Sequence, residues 1–376
     1  MESRLIKLAV LGSTGSIGRQ SLDIARKFSS EFKVTGLACG NNVKAFEAQL
    51  REFKPRLACS DGKISLPAGT RRASMEEIAS HPDVDTVVIS TTGKAGLAPA
   101  LAALKAGKTL AIANKEILVM AGELITQMAA RHGATIVPID SEHSAIWQCL
   151  QGETGLHRLI LTASGGPFYK KPRSYLKGVT VEQALKHPTW HMGKKVTIDS
   201  ATLFNKGLEA IEAHWLFDIP YEKIEIIIHR QSIVHSMVEF VDGSIKAQLS
   251  TPDMHLPIQY ALLYPRRLPN ENIARLHFPD IKKLTFEAVK YSDFPCLKLA
   301  LEAASDGGTC PAVLCAADEI AIEQFLKKAI TFLDISKIID KTLSKHKRLS
   351  KPSLDDILQA DKWARDAALK VAKDNY

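Results

Sequence analysis

The sequence predicts an α/β protein: an N-terminal Rossmann-like doubly wound parallel sheet, a central α+β domain with a mostly antiparallel sheet, and a C-terminal helical bundle. Three observations carry this. A glycine loop, GSTGSIG at 12–18, stands between an apolar run at 5–11 and a helical pattern, SIGRQSLDIARKF. Short strand-like runs at 33–38, 86–90, 109–113 and 134–139 then alternate with helical stretches such as GLAPALAALKAG, the pattern of a parallel sheet. Past residue 150 the pattern changes. A strand at 159–163 is followed by runs at 224–228, 232–241 and 244–250 that alternate like antiparallel strands, the last two around the turn Asp242-Gly243. From about 294 the periodicity is helical, with TLSKHKRLSKPS as a break before a last amphipathic helix.

At 376 residues the chain is too long for one ordinary core, so two or three domains are expected. No apolar run approaches the roughly 20 residues that span a bilayer. The first residues enter a strand at once, leaving no room for a signal or transit peptide, so a cytoplasmic location is expected. The six cysteines, at 39, 59, 149, 296, 310 and 315, are scattered without a C-x-x-C, as buried thiols in a reducing compartment would be. The net charge of +8 suits phosphate-bearing small molecules as well as nucleic acid. Much of the excess (Lys327, Lys328, Lys337, Lys341, Lys345, Lys347, Arg348 and Lys351) follows a helical pattern with few aromatics, which favours solvated helix faces.

Strand, glycine turn and helix in that order let backbone approach a pyrophosphate and present N–H groups to it. The spacing here is G-x-x-G-x-x-G, and a glycine turn without a ligand is the alternative. The second strand leads into Cys39-Gly40-Asn41-Asn42, where NAD-binding chains carry a ribose-binding carboxylate. With no carboxylate to repel a 2′-phosphate, NADP is favoured over NAD. Asn114-Lys115-Glu116 lies just past a strand end, where a lysine can meet a substrate oxyanion or simply follow a helix cap.

Asp140-Ser141-Glu142 follows another strand, and two carboxylates so spaced can converge on a hard cation, Mg²⁺ or Mn²⁺ rather than zinc. The same residues can instead cap a helix. Asp199 or Ser200 is expected to cap a helix from about 201 to 216, on which Asn205, Lys206 and Glu209 share a face. Ser200, Thr202, Asn205 and Lys206 gather where a phosphate or sugar hydroxyl could be held, and the other reading is an exposed Lys–Glu pair. Ser164-Gly165-Gly166 at a strand end offers N–H groups and a hydroxyl to an anion. The long stretch after it, to Lys195, holds His187, Trp190 and Met192 and is read as a lid.

Eight segments in order, GSTGSIG at 12–18, NKE at 114–116, DSEHSA at 140–145, SGGPF at 164–168, HPTWHMG at 187–193, DSATLFNKGLE at 199–209, RQSIVHSMVE at 230–239 and TPDM at 251–254, resemble the 1-deoxy-D-xylulose 5-phosphate reductoisomerase family over nearly the whole chain. The resemblance implies a homodimeric oxidoreductase that uses NADPH and one divalent cation. It would rearrange and reduce that sugar phosphate to 2-C-methyl-D-erythritol 4-phosphate, a step of non-mevalonate isoprenoid precursor biosynthesis. It further implies that Thr14, Gly15, Ser16 and Ile17 hold the cofactor pyrophosphate, with Gly40, Asn41, Asn42, Asn114, Glu116 and Gly193 completing that site. Asp140, Glu142 and Glu209 would ligate the metal, and Lys115 and Ser141 would contact the reacting end of the substrate. Ser164, His187, Ser200, Asn205 and Lys206 would hold the rest, chiefly its phosphate, under Trp190 and Met192.

The corresponding division is a cofactor domain at 1–140, a catalytic and dimerisation domain at 141–264 with its lid at about 165–195, a linker at 265–290 and a helical domain at 291–376. Two residues depart from the family pattern. Asn41 is neutral where some members carry a basic residue near the 2′-phosphate, and His191 stands where some members carry a small residue in the lid. A Rossmann oxidoreductase without the rearrangement is the rival enzyme, and it would need no metal.

Overall fold

The computed structural model describes residues 5–190 and 192–375, so His191 lies outside the described residues. Cα proximity divides the chain into two compact units. The first comprises Met1–Ile117, Glu123–Ser144 and Asp253–Ala274, and the second comprises Leu118–Gly122, Ala145–Pro252 and Arg275–Tyr376.

The first unit holds a seven-stranded sheet built from β1 (Ile6–Leu11), β2 (Phe32–Cys39), β3 (Leu57–Ser60), β4 (Arg71–Arg72), β5 (Thr86–Ile89), β6 (Thr109–Ile112) and β7 (Ile136–Pro138). Their order is β4-β3-β2-β1-β5-β6-β7 and every pairing is parallel. Leu8 to Leu11, Val87 to Ile89 and Leu110 to Ile112 are buried on both faces, which is why these strands read as continuous apolar runs. The connecting helices are α1 (Ser16–Lys27), α2 (Val43–Phe53), α3 (Met75–Ser80), α4 (Leu97–Lys105) and α5 (Lys115–His132), and α6 (Ser141–Leu150) follows β7. α5 kinks at Ala121, near the boundary between the units. The strand order reverses direction between β1 and β5, the place where open sheets of this kind bind ligands.

The second unit holds a mixed sheet of β8 (Leu156–Ala163), β9 (Ile224–Ile228), β10 (Val234–Phe240), β11 (Ile245–Leu249) and β12 (Glu287–Ala288), in the order β11-β10-β8-β9-β12. The expected hairpin is present: β10 and β11 pair antiparallel around Gly243, whose φ of +85° the turn requires. The adjacent expectation is corrected, because β9 runs parallel to β8 and β8 lies between β9 and β10. The tight turn after β9, with Ser232 at φ +52°, carries the chain across rather than into a hairpin.

Its helices are α7 (Arg173–Leu176), α8 (Val181–Ala184), α9 (Lys194–Ala201) and α10 (Phe204–Phe217). After α11 (His255–Leu263), which belongs to the first unit, come α12 (Phe278–Ile281), α13 (Pro295–Asp306), α14 (Cys310–Leu326), α15 (Asp334–Leu343) and α16 (Leu354–Asn375). The break between α15 and α16 falls where the sequence places it. Several of the late lysines lie in ion pairs at the surface, Lys327 with Glu323, Lys328 with Glu182 and Lys337 with Asp334. None of the six cysteines forms a disulfide. Among the described residues no helix is long and apolar enough to cross a membrane.

Glycine at two positions fixes the first turn. A Cβ on Gly12 would stand 2.5 Å from the Ser90 carbonyl oxygen, and one on Gly18 would stand 2.2 Å from the Gly12 carbonyl oxygen. Both obstacles are backbone and cannot rotate away. Gly18→Ala is therefore expected to destabilise the chain by about 1–3 kcal/mol, read as a lowered urea midpoint with unchanged slope. An unshifted midpoint would show that the turn yields.

Candidate active site

In the first unit the loop Gly12-Ser13-Thr14-Gly15 leaves β1 and opens α1 at Ser16, with Gly15 as the exposed N-cap. Ser13 is buried and tied to Gln49 of α2, so the loop is braced from below while Gly15 and Ser16 face outward. Gly40, Asn41 and Asn42 follow β2 and are also exposed, and Asn42 caps α2 through the Ala45 N–H. Asn114 caps α5 through the Ile117 N–H and donates to the Gly93 carbonyl at 2.8 Å, which joins the β5 and β6 turns. It is a buried cap, not a surface one, and Glu116 beside it is buried as well.

Lys115, the first residue of α5, reaches Asp140 at 3.0 Å. His143, wholly buried one turn further along α6, brings Nδ1 to 3.6 Å from the same carboxylate. Burial alone would push the Asp140 carboxyl up, but Lys115 and then His143 outweigh it and hold the group well below the usual carboxylate range. Asp140 and Glu142 bring carboxylate oxygens within 4.8 Å of each other, and the Ser141 hydroxyl donates to Glu142. Asp140 also accepts the Ser141 N–H at 2.9 Å and, through its carbonyl, that of Ser144, so it serves the start of α6 too.

In the second unit β8 ends in Ser164-Gly165-Gly166, and both glycines have positive φ, +79° and +68°. A Cβ on Gly166 would lie 2.6 Å from the Ser200 carbonyl oxygen, so the loop packs directly on α9. Ser164 Oγ lies 3.0 Å from His187 Nε2. His187 Nδ1 accepts the N–H groups of Thr189 and Trp190 at 3.1 and 2.9 Å, which leaves Nε2 as the donor and the ring neutral. Burial, and secondarily the Arg230 charge, pushes the His187 pKa down to about 4. Arg230 donates to the carbonyls of Ser164 and Gly166, both at 2.7 Å, and so shapes the loop. The Trp190 ring lies 6.2 Å from His235, whose Nε2 meets the Ser250 hydroxyl at 2.7 Å.

Met192 and Gly193 follow, with Gly193 exposed as the N-cap of α9. The expected single helix from 201 with a cap at 199 or 200 is corrected. Asp199 and Ser200 lie inside α9, and Leu203 at φ +55° breaks the chain before α10 begins at Phe204. The shared face on α10 is present, for Asn205 and Lys206 both donate to the carboxylate of Glu209. Lys206 and Glu209 are buried, so the surface-pair reading fails. Sequence reasoning gives no role to Arg230 or His143. A cation whose hydrogen bonds go to backbone carbonyls far along the chain leaves no pattern in sequence, whereas His143 one turn from Asp140 is legible spacing.

Family models cover most of the chain: "1-deoxy-D-xylulose 5-phosphate reductoisomerase" at 8–122, its C-terminal domain at 136–217 and "DXP reductoisomerase C-terminal domain" at 249–367. A curated 1-deoxy-D-xylulose 5-phosphate reductoisomerase from Pelotomaculum thermopropionicum is 50% identical, over 98% of this chain and 99% of its own. The chain belongs to the 1-deoxy-D-xylulose 5-phosphate reductoisomerase family. The family's enzyme from a Geobacillus strain is 49% identical over 95% of this chain and 97% of its own. The solved reductoisomerase from Zymomonas mobilis, described as in complex with NADPH, aligns with a TM-score of 0.89 at 40% identity, covering 98% of this chain and all of that one. Another solved reductoisomerase, in complex with NADPH, fosmidomycin and magnesium, aligns equally well, with 98% of each chain covered. As a family member the chain is an NADP-dependent oxidoreductase.

The neutral His187 has a consequence for stability. An unfolded histidine takes up a proton near its ordinary value of 6.5, whereas the folded one resists until about 4. Folding stability therefore declines as pH falls from about 6.5 to 4 and levels off below. His187→Gln is expected to show a shallower acid decline in melting temperature over that window, and identical profiles would refute the assignment.

Proposed function

We propose that the chain converts 1-deoxy-D-xylulose 5-phosphate to 2-C-methyl-D-erythritol 4-phosphate with NADPH and one divalent cation, Mg²⁺ or Mn²⁺, in non-mevalonate isoprenoid precursor synthesis. The observation that carries the reading is the Lys115–Asp140–Glu142 constellation, standing at its expected place in a chain half identical to curated family members over nearly its full length.

The donors proposed for the cation are Asp140 and Glu142 of the first unit and Glu209 of the second, an all-oxygen set that suits a hard ion. The fit is supported by the convergence of Asp140 and Glu142 and by the depressed proton affinity of Asp140, which keeps it a ligand at neutral pH. Asn205 and Lys206 both donate to the Glu209 carboxylate and orient it. When bound, the cation supplies Lewis acidity at the substrate's oxygens and NADPH supplies hydride.

The remaining assignments concern this chain's own groups. Lys115 would stabilise negative charge developing on the substrate, and Ser141 would orient the reacting end. Ser164, His187, Ser200, Asn205 and Lys206 would hold the phosphate. A neutral His187 donating from Nε2, beside a loop of two positive-φ glycines, supports that role. Trp190 and Met192 would close over the substrate and exclude water. Thr14, Gly15, Ser16 and Ile17 would bind the pyrophosphate, with Gly40, Asn41, Asn42, Asn114, Glu116 and Gly193 completing the cofactor site. The exposure of the first two loops, at the carboxyl ends of β1 and β2, supports this.

We further propose a homodimer and a cytosolic setting. β11 is the outer strand of its sheet, and Ile245 on it is 51% exposed next to Val241 at 74%, an apolar edge that a second copy would cover. The functional division at residues 140, 264 and 290 stands as part of the same proposal.

Three outcomes are expected. NADPH oxidation should require both this substrate and Mg²⁺ or Mn²⁺, and should stop with excess chelator. NADPH binding without oxidation under either metal would defeat the reading. Glu209→Gln and Lys115→Met are each expected to lower kcat/KM by on the order of a hundredfold or more, at little change in melting temperature for the lysine variant. Light scattering after size exclusion should give twice the chain mass, and Ile245→Lys should shift it toward the monomer.

A further inference from the structure

α9 is short, eight residues, yet it carries Ser200 at one end and follows the lid at the other. Its anchor lies in a cluster that the proposed chemistry does not use. Lys195 Nζ meets Asp199 Oδ2 at 2.7 Å on the same helix and Asp318 Oδ2 at 3.0 Å on α14. The second contact is an ion pair without hydrogen-bond alignment, and neither Asp318 oxygen accepts a hydrogen bond among the described residues. Both carboxylates are buried, Asp318 completely. The Lys195 ammonium also lies 5.6 Å over the Phe204 ring, at the start of α10.

We propose that Lys195, Asp199 and Asp318 form one proton-holding joint that positions α9, and through it Ser200, for the substrate phosphate. The positioning half of this rests on the reading of Ser200 given above. The joint itself rests on the cluster alone.

The charges facing Asp318 account for the proton. From α9 come Lys195 and Asp199, and from α13 comes the buried thiol of Cys296, which burial keeps protonated. On its own helix stands Glu319, whose charge is taken by Arg365 of α16, itself also bound to Asp361. Two carboxylates thus meet around one ammonium in an interior where an unbalanced charge is strongly disfavoured. Retaining a proton on Asp318 leaves a balanced Lys195–Asp199 pair. Burial and then Asp199 push the Asp318 carboxyl well above its ordinary range, against Lys195. As pH rises the proton leaves to solvent, Asp199 and Asp318 repel, and the α9–α14 contact loosens. The folded state holds a proton that the unfolded chain has already lost, so this joint lowers folding stability progressively as pH rises above the aspartate range.

The test uses the full-length chain with two substitutions, Asp318→Asn and Lys195→Met. Melting temperatures are measured from pH 5 to 9 without ligand. KM and kcat are measured with NADPH, Mg²⁺ and 1-deoxy-D-xylulose 5-phosphate. The asparagine, neutral and of the same shape, should fold and should gain melting temperature over the parent increasingly toward alkaline pH. Its KM should stay flat where the parent's rises at least threefold between pH 6 and 9, with kcat within twofold. Lys195→Met should raise KM about tenfold with kcat within threefold, and if it does not fold, Lys195→Arg replaces it and should recover a KM within threefold of the parent. Parallel melting profiles for parent and Asp318→Asn would overturn the joint. A falling melting temperature with unchanged KM in Lys195→Met would overturn the positioning role. If the parent itself does not turn over this substrate, the functional reading fails, and the melting profiles still decide the joint.

Discussion

Carboxylates largely withdrawn from solvent and held by half-buried or buried lysines are the constraint on which the rest of this structure depends. Asp140 leans on Lys115, Glu209 on Lys206, and Asp199 with Asp318 on Lys195. An isolated carboxylate in a protein interior would neutralise itself by taking a proton. Lys115 holds Asp140 well below the usual carboxylate range, and the Lys206–Glu209 and Lys195–Asp199 pairs sit on consecutive helical turns, where backbone geometry fixes their spacing. Such pairs contribute little net stability, because desolvation offsets attraction. What they provide is definite charge at definite places, which a site for a cation and a phosphorylated substrate needs.

The scaffold around these charges is organised by backbone contacts that admit no side chain. Gly12 and Gly18 let the first turn close against the end of β5, and Gly166 lets the loop after β8 lie on the α9 backbone. In each case another backbone approaches where a Cβ would stand, and Gly12 and Gly166 in addition hold positive φ. The result is two sets of N–H and hydroxyl groups at strand ends, one in each unit. His187 joins the second set as a neutral donor because its other nitrogen is occupied by two lid amides. In the proposed reading, the lid and the phosphate site would therefore share one side chain.

Much of this architecture is legible in the amino-acid sequence. Of the seven-stranded sheet only the edge, β3 and β4, escapes it, because LACS at Leu57–Ser60 is too short and polar at one end to stand out, and Arg71–Arg72 carries no apolar signal at all. The face shared by Asn205, Lys206 and Glu209 follows from helical period. The helix around Asp199 does not, since its end is set by Leu203 in a left-handed conformation that no propensity foretells for leucine. The neighbour of β9 is likewise hidden, because pairing partners distant in sequence leave no local trace.

By itself, the sequence determined the alternation of strand and helix, the glycine turns, the order of the eight family segments and the types of residue available for chemistry. These are local properties, set by period, turn chemistry and covalent spacing. The tertiary structure alone decided which charges are buried and what they face. It placed Arg230 on the carbonyls of Ser164 and Gly166, and Asp318 of α14 against Lys195 of α9, more than a hundred residues earlier. Burial and long-range pairing set a proton's affinity through desolvation and Coulomb terms, and neither can be read from the neighbours of a residue along the chain.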